Sequence, residues 1–548
     1  MPQYYIGVDV GTGSARAALV SSDGSTVQSK VEPIQILNPQ PGFYEQSSDD
    51  IWRAVIVVVN AVVKNSGVAP SDVKGLGFDA TCSLVALDAD YQPVSCSPTG
   101  EKCHNIVMWM DHRAEKEAAR INTTQHPVLR YVGGTMSLEM QPPKLLWLKE
   151  QLPEQWKKMS HLFDLPDFLT WRATGSFTRS LCSLVCKWGY EAKGSEEHGW
   201  NDDFLQRIGL EELIESNYRR IGSKTLTPGE ACGSGLSSQA AKELGLLPNT
   251  AVGTSLIDAH AGAVACLACV PADLPFTLPP VTSRLALICG TSTCNMVVSK
   301  DPVLVPGVWG PYYSAIIPGL WCNEGGQSAT GKLIDFIVES HAAYASAKEN
   351  AKQREVHLYQ YLNTVLEDKA AKQGIPVCQL TSDLHVYPDF HGNRSPLADP
   401  SMKGMVSGLT LSSTEEDLAL LYLATVQALT YGTRHILDEM NRNGHKIEIL
   451  YLCGGLRKNS LFVQTHSDAL GVPVILPDAE ETVLLGAAIL GARASGNFSD
   501  IQSAMLAMGG GGKVVLPQTS HRQYHEKKHA VYMKMLSDQR AYASIMRD

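Results

Sequence analysis

Three kinds of residue in this chain could do chemistry together. They are turns of small residues with backbone N–H groups to offer, carboxylates at the ends of apolar strands, and a lysine set among apolar neighbours. The segment Ala251-Val-Gly-Thr-Ser-Leu-Ile-Asp-Ala-His-Ala-Gly-Ala-Val-Ala265 places Asp258 where an apolar strand gives way to a small-residue helix. A carboxylate there can cap the helix. It can also act as general base for a hydroxyl that attacks a γ-phosphate, which phosphoryl transfer to an alcohol requires. His260, two residues on, reads as a polar group on the helix face.

A phosphate needs donors. Tyr5-Ile-Gly-Val-Asp-Val-Gly-Thr-Gly-Ser-Ala-Arg-Ala-Ala-Leu-Val20 reads as a strand, a tight turn and a strand. Gly11 and Gly13 can take positive φ, so the turn can present its N–H groups. Thr12 and Ser14 add hydroxyls, and such a concave donor set suits a phosphate. Asp9, at the strand end, could hold a hydrated Mg²⁺. The stretch lacks the Gly-Lys-Ser/Thr of a P-loop and no helix follows its glycines, so it is neither that motif nor a dinucleotide fingerprint. A plain Gly-rich hairpin is the alternative. Leu285-Ala-Leu-Ile-Cys-Gly-Thr-Ser-Thr-Cys-Asn-Met-Val-Val298 repeats the pattern about half a chain later, with Gly290, Thr291 and Ser292 in the turn. Ile449-Leu-Tyr-Leu-Cys-Gly-Gly-Leu-Arg-Lys-Asn-Ser460 is a strand, a Gly454-Gly455 turn and a helix start. With no side chains in the way, a base or ribose can lie against that turn.

A small polar substrate needs its own anchors. Asp79, Thr81 and Ser83 lie in a polar turn between two apolar runs, where ordinary turn chemistry is the simpler account. Trp109, Asp111 and Arg113 alternate, so on an extended segment they share one face, suited to a polyol or forming a surface ion pair. Lys187 is embedded in Arg179-Ser-Leu-Cys-Ser-Leu-Val-Cys-Lys-Trp-Gly-Tyr190, either snorkelling or anchoring a ligand hydroxyl. Glu324 precedes a Gly-Gly turn and a helix, as ligand acceptor or turn residue.

The elements around these residues are readable. Ser47-Ser-Asp-Asp caps a helix over Ile51 to Val63, and Gly175 ends one that follows Phe163. Ser412-Ser-Thr-Glu-Glu caps a long helix to about Met440, while residues 345–373 read as polar, exposed helix. The prolines at 271, 275, 279 and 280 mark a boundary, dividing the chain into 1–268, a linker 269–284, and 285–548. Length and a 44% apolar, 19% charged composition indicate a globular protein of more than one domain. A net charge of −10 argues against nucleic acid or anionic membrane as partner. No apolar run approaches membrane-spanning length. The first strand begins by Tyr5, leaving no room for a leader, and the 13 cysteines lack zinc spacing, so a cytoplasmic protein with reduced thiols is expected.

Together these stretches resemble the FGGY family of carbohydrate kinases over nearly the whole chain. The two hairpins are similar to the family's phosphate-1 and phosphate-2 motifs, and Cys453-Gly-Gly-Leu456 to its adenosine motif. Asp258 falls where the family has its catalytic aspartate. The Gly-Asn-Arg-Ser-Pro loop at 392–396 and the Gly404 to Leu409 stretch also look like the family. The resemblance implies an α/β fold of two actin-like (ribonuclease H-like) domains with an ATP and sugar cleft between them. It implies MgATP, with Gly11, Thr12, Gly13, Ser14, Gly290, Thr291, Ser292, Gly454, Gly455 and Asn459 on the nucleotide and Asp9 on the metal through water. Arg179-Ser-Leu-Cys-Ser with Lys187, and Asn323-Glu-Gly-Gly-Gln-Ser, are similar to the ribulokinase branch. On that likeness Thr81, Cys82, Ser83, Asp111, Lys187 and Glu324 hold the sugar, and the expected substrate is D-ribulose. L-ribulose, D-xylulose or ribitol, and a non-catalytic actin-like nucleotide scaffold, are the alternatives; a homo-oligomer is left open.

Overall fold

The computed structural model describes residues 3–192 and 199–546. Two sheets dominate it. The first has five strands in the order Ala251–Ile257, Val73–Ala80, Tyr4–Val10, Ser14–Ser21 and Thr26–Pro33. The last three run antiparallel and the first two join in parallel. The second has seven strands, and its core repeats this plan. Trp321–Gln327, Thr293–Ser299 and Arg284–Cys289 are antiparallel, then Ile449–Cys453 and Val474–Pro477 follow in parallel. Trp309–Tyr313 and Gly512–Val515 extend its two edges. The repeat puts the two turn motifs in equivalent places, each between the first two strands of its sheet.

The capping signals act as their side chains require. Ser47 accepts the Asp50 N–H at the start of helix Ser48–Ser66. Gly175 ends helix Leu165–Thr174 in the left-handed conformation. Thr414 and Asp417 form a reciprocal capping box on helix Glu415–Arg442. Between Val73–Ala80 and Ala251–Ile257 the chain inserts several helices, among them Gln141–Gln151 and Leu181–Lys187, and three strands that join the earlier Glu45–Gln46 in a four-stranded sheet.

Two helices interlock the sheets, and glycine is the reason they can. Helix Asp258–Ala268 follows the first sheet's edge strand but packs on strands of the second. Helix Thr482–Ala494 follows the second sheet but packs on the first, against Val73–Ala80 and Tyr4–Val10. An added Cβ at Gly7 would lie 2.0 Å from the Leu484 carbonyl oxygen, at Gly77 1.9 Å from that of Ala487, and at Gly486 2.0 Å from that of Ala261. Backbone meets backbone at each crossing. Gly7→Ala should therefore cost about 1–3 kcal/mol or more, the range for overpacking a core. A thermal midpoint unchanged by that substitution would mean the helix is not seated as described.

Candidate active site

The strands of the first sheet end in acids. Asp9 and Asp79 stand opposite each other in parallel register, both buried. Arg16 Nε donates to Asp9 Oδ2 at 2.7 Å, and Arg16 Nη1 reaches Glu481 at 2.8 Å. Asp9 Oδ1 and both Asp79 carboxylate oxygens are buried without a hydrogen-bond donor. Burial, reinforced by the charge of Asp9, pushes Asp79 well above the usual carboxylate range. Adjacent acceptor oxygens with no donor form the hard donor set that a hydrated divalent cation uses, so these residues fit Mg²⁺.

Asp258 opens helix Asp258–Ala268 on the wall of the same cleft. Its Oδ1 accepts the N–H of the next residue, Ala259, at 2.7 Å, while the N-cap position itself is Ile257 and carries no side-chain cap. Its pKa is nevertheless raised to about 6, first by burial and then by Asp9. Asp9, Gly11, Thr12, Thr81, Cys82, Lys187, Asp258, Gly290, Thr291, Ser292 and Glu324 all line this one cleft of about 250 Å³. The two hairpin turns face each other across it. Trp109 Nε1 donates to Thr12 Oγ1 at 3.1 Å and Gln46 Nε2 to the Thr12 carbonyl at 2.9 Å, which fixes the first turn. Thr81 and Ser83 pair their hydroxyls at 3.2 Å. Gly13, Ser14 and Ser83 are not on the cleft wall.

The far end of the cleft is a buried charge cluster. Lys187 is the last residue of helix Leu181–Lys187, where the helix dipole favours a cation. Its Nζ lies 4.4 Å from the Trp309 ring centroid and 3.7 Å from Glu139. Burial opposes its charge, but Cys82, Glu324 and Glu139 together more than offset this and raise its pKa. Arg394 donates to Glu324 and stacks 4.1 Å over the same Trp309. Burial would raise Glu324, yet Lys187 and Arg394 hold it down at about 2. His260 Nε2 lies 3.9 Å from Glu324 Oε2, and burial lowers that histidine to about 4. Arg394, Trp309, Glu139 and Asp79 were not among the expected site residues. The one sequence signal for Arg394 was its Gly-Asn-Arg-Ser-Pro loop.

A second pocket of about 610 Å³ adjoins the first at Gly290 and Thr291. Gly455, Leu456, Lys458 and Asn459 form one side of it, and Tyr359, Gln360 and Asn363 another. Residues 345–373 are thus more than an exposed face. Asn459 caps helix Ser460–Leu470 and donates to Tyr422 Oη at 2.6 Å. Gly454 has φ +87, and a Cβ there would lie 2.2 Å from the Cys289 carbonyl oxygen, so this turn requires glycine. It stands behind Gly455, off the pocket wall.

Three expectations are corrected. Asp111 does not enter the cleft. Its oxygens accept from Tyr44 N at 2.7 Å and from Arg113 at 2.8 Å, inside a buried network with Glu45. Residues 108–113 turn rather than extend, with Asp111 N donating to the Met108 carbonyl, so Trp109 and Asp111 part ways. Gly11 and Gly13 do not have positive φ, and a Cβ at either would meet little. Their use is open space for a ligand against the turn.

Models described as the N-terminal and C-terminal domains of the FGGY family of carbohydrate kinases match residues 4–265 and 285–495. An FGGY carbohydrate kinase domain-containing protein of Xenopus laevis is 56% identical over 99% of this chain and 98% of its own length. A D-ribulokinase of Saccharomyces cerevisiae is 40% identical over 90% of this chain and 72% of its own. The crystal structure of a xylulose kinase from Rhodospirillum rubrum has the same fold, with a TM-score of 0.78 at 19% identity, covering 98% of this chain and 99% of that one. Among the described residues no helix is long and apolar enough to cross a membrane. With both domain models matched, the chain belongs to the FGGY family of ATP-dependent carbohydrate kinases.

Proposed function

We propose that this kinase transfers the γ-phosphoryl group of ATP to the 5-hydroxyl of D-ribulose, with Asp258 as general base. One observation carries the reading. A single cleft joins both phosphate turns to Asp258 at one end and to the Lys187–Glu324–Arg394 cluster at the other. The 40% identity to a D-ribulokinase supports the choice of sugar.

In this reading the adenosine lies against Gly455 and Asn459, and the phosphates bridge the turns at Gly11–Thr12 and Gly290–Ser292. Asp9 and Asp79 would hold Mg²⁺, which supplies neutralising charge at the phosphate oxygens. Lys187 donates to a sugar oxygen, and Glu324 accepts from a sugar hydroxyl through Oε2, which is buried without a protein partner. Thr81 and the backbone at Cys82 border the sugar. Asp258 takes the hydroxyl proton as the oxygen attacks in line. Closure of the two sheets about the cleft would exclude water as a competing acceptor.

A coupled ADP-release assay over D-ribulose, L-ribulose, D-xylulose, ribitol and glycerol tests the substrate. Preference for D-ribulose is expected. Preference for another member would move the substrate, and no sugar-dependent ADP release from ATP-binding protein would favour the nucleotide scaffold. A base must be ionised to accept a proton. With Asp258 near 6, kcat/KM for the sugar should fall below about pH 6 along a limb of slope one. A flat profile between about pH 5 and 8 would remove Asp258 as the base.

A further inference from the structure

At the sugar end of the cleft, with His260 on its wall, lies a second set of ligand-type side chains to which the proposed kinase reaction gives no role. Cys182 and Cys186 stand one turn apart on helix Leu181–Lys187, and His260 comes from the facing helix Asp258–Ala268. All three are buried, and their ligand atoms lie within 4.8 Å of one another. Cys186 Sγ is 3.4 Å from His260 Nε2. Two ligands on a tetrahedral Zn²⁺, with bonds of about 2.3 Å to sulfur and 2.0–2.1 Å to nitrogen, stand about 3.5 Å apart. The sites therefore already have near-coordinating spacing. His260 Nδ1 is buried without a partner, so no second hydrogen bond fixes this ring in a protein network.

We propose that Cys182, Cys186 and His260 form a separate site for a thiophilic cation such as Zn²⁺, and that filling it weakens sugar binding. Two sulfurs and an imidazole are a soft donor set, distinct from the carboxylates at Asp9 and Asp79 that suit Mg²⁺. The coupling to sugar is geometric. His260 Nε2 lies between Cys186 Sγ and Glu324 Oε2, and Lys187 directly follows Cys186. A cation on the three ligands holds Nε2 at the sulfurs and adds positive charge beneath Glu324, which then accepts less well from a hydroxyl. The consequence for sugar rests on Glu324 as a sugar ligand; cation binding does not.

The reduced full-length protein, without nucleotide, is titrated with Co²⁺ as a spectroscopic stand-in and with Zn²⁺ in competition. The expected results are one ion per chain, a thiolate-to-Co²⁺ charge-transfer band displaced by Zn²⁺, and several-fold weaker direct binding of sugar. Binding at Asp9 and Asp79 would give no thiolate band. Cys182→Ser and Cys186→Ser should each remove the band and the effect on sugar, with circular dichroism reporting that the fold is kept. Cys378→Ser, outside the cleft and the pocket beside it, should change neither. A band that survives both substitutions, or its absence with millimolar Co²⁺, overturns the site. A band without any effect on sugar binding keeps the site and overturns the coupling.

Discussion

Asp258→Asn should lower kcat by about 10²–10⁴, the range for losing a general base, and at the same time stabilise the protein. The two effects have one cause. The cleft wall holds a carboxylate whose pKa is raised from 3.8 to about 6, by burial first and by Asp9 second. A raised carboxylate pKa means the folded state binds the proton more tightly than the unfolded state. Stability then falls as pH rises from the unfolded value toward about 6, and the loss is in full force at neutral pH. Asparagine carries no charge and keeps the volume, so it removes a penalty on the order of 1–3 kcal/mol, after discounting for the partial exposure of the group. The Oδ1 bond to Ala259 N survives, because the amide oxygen accepts equally. A purely structural role would show the opposite pattern, with activity retained in proportion to folded protein and no gain in midpoint. Steady-state kinetics beside thermal unfolding at pH 7.5 decides between them. Loss of turnover with a lowered midpoint would count against the assignment.

What could be read in the chain was what is local. Each glycine turn is a few consecutive residues between two strands, so Gly11–Ser14 and Gly290–Ser292 announce themselves by type and spacing. Asp258 is legible for the same reason, at a strand-to-helix junction. The sugar end was legible only in part. Lys187 stood out as a charge among apolar neighbours and Glu324 as an acid before a Gly-Gly pair, but Arg394 and Trp309 reach the same point from other segments and no spacing links them. Asp111 misled for the complementary reason. Its partner Arg113 was in view, but Glu45, the third member of the network, lies 68 residues from Arg113. Asp79 was visible yet read as turn chemistry, because its meaning depends on Asp9 across the sheet. One long-range signal was present and unused. Gly7, Gly75, Gly77 and Gly253 interrupt apolar strands that have no turn there, and Gly486 and Gly491 lie in a helix of small residues. Complementary smooth faces of that kind mean close backbone approach, and here they locate the helix that locks one half of the chain to the other.

Glu324→Ala should be the most damaging single change at the sugar end, and its stability cost should depend on pH. Glu324 is the anion between two buried cations, Lys187 and Arg394, which share one face-stacked tryptophan. Its pKa falls from 4.5 to about 2 because those charges outweigh the cost of burial. A depressed carboxylate pKa contributes stability that is complete above about 4.5 and is lost as pH falls through about 2. Truncation leaves Lys187 and Arg394 facing each other, with Glu139 the acid that acts on both. Removing one partner of such a buried group costs about 3–5 kcal/mol, because a charge is left uncompensated. Sugar KM should rise as well, since an acceptor is gone and Lys187 now gives up its proton more easily. Glu324→Gln separates the two contributions: it restores an acceptor and the volume but not the charge, so KM should recover more than stability. Denaturant midpoints for the three proteins at pH 7 and at pH 3 make the measurement. The gap between wild type and Glu324→Ala should shrink at pH 3, where part of the charge contribution is already lost. An equal gap at both values would place its origin in packing against Arg394 rather than in charge, and the sugar end would then be held by shape.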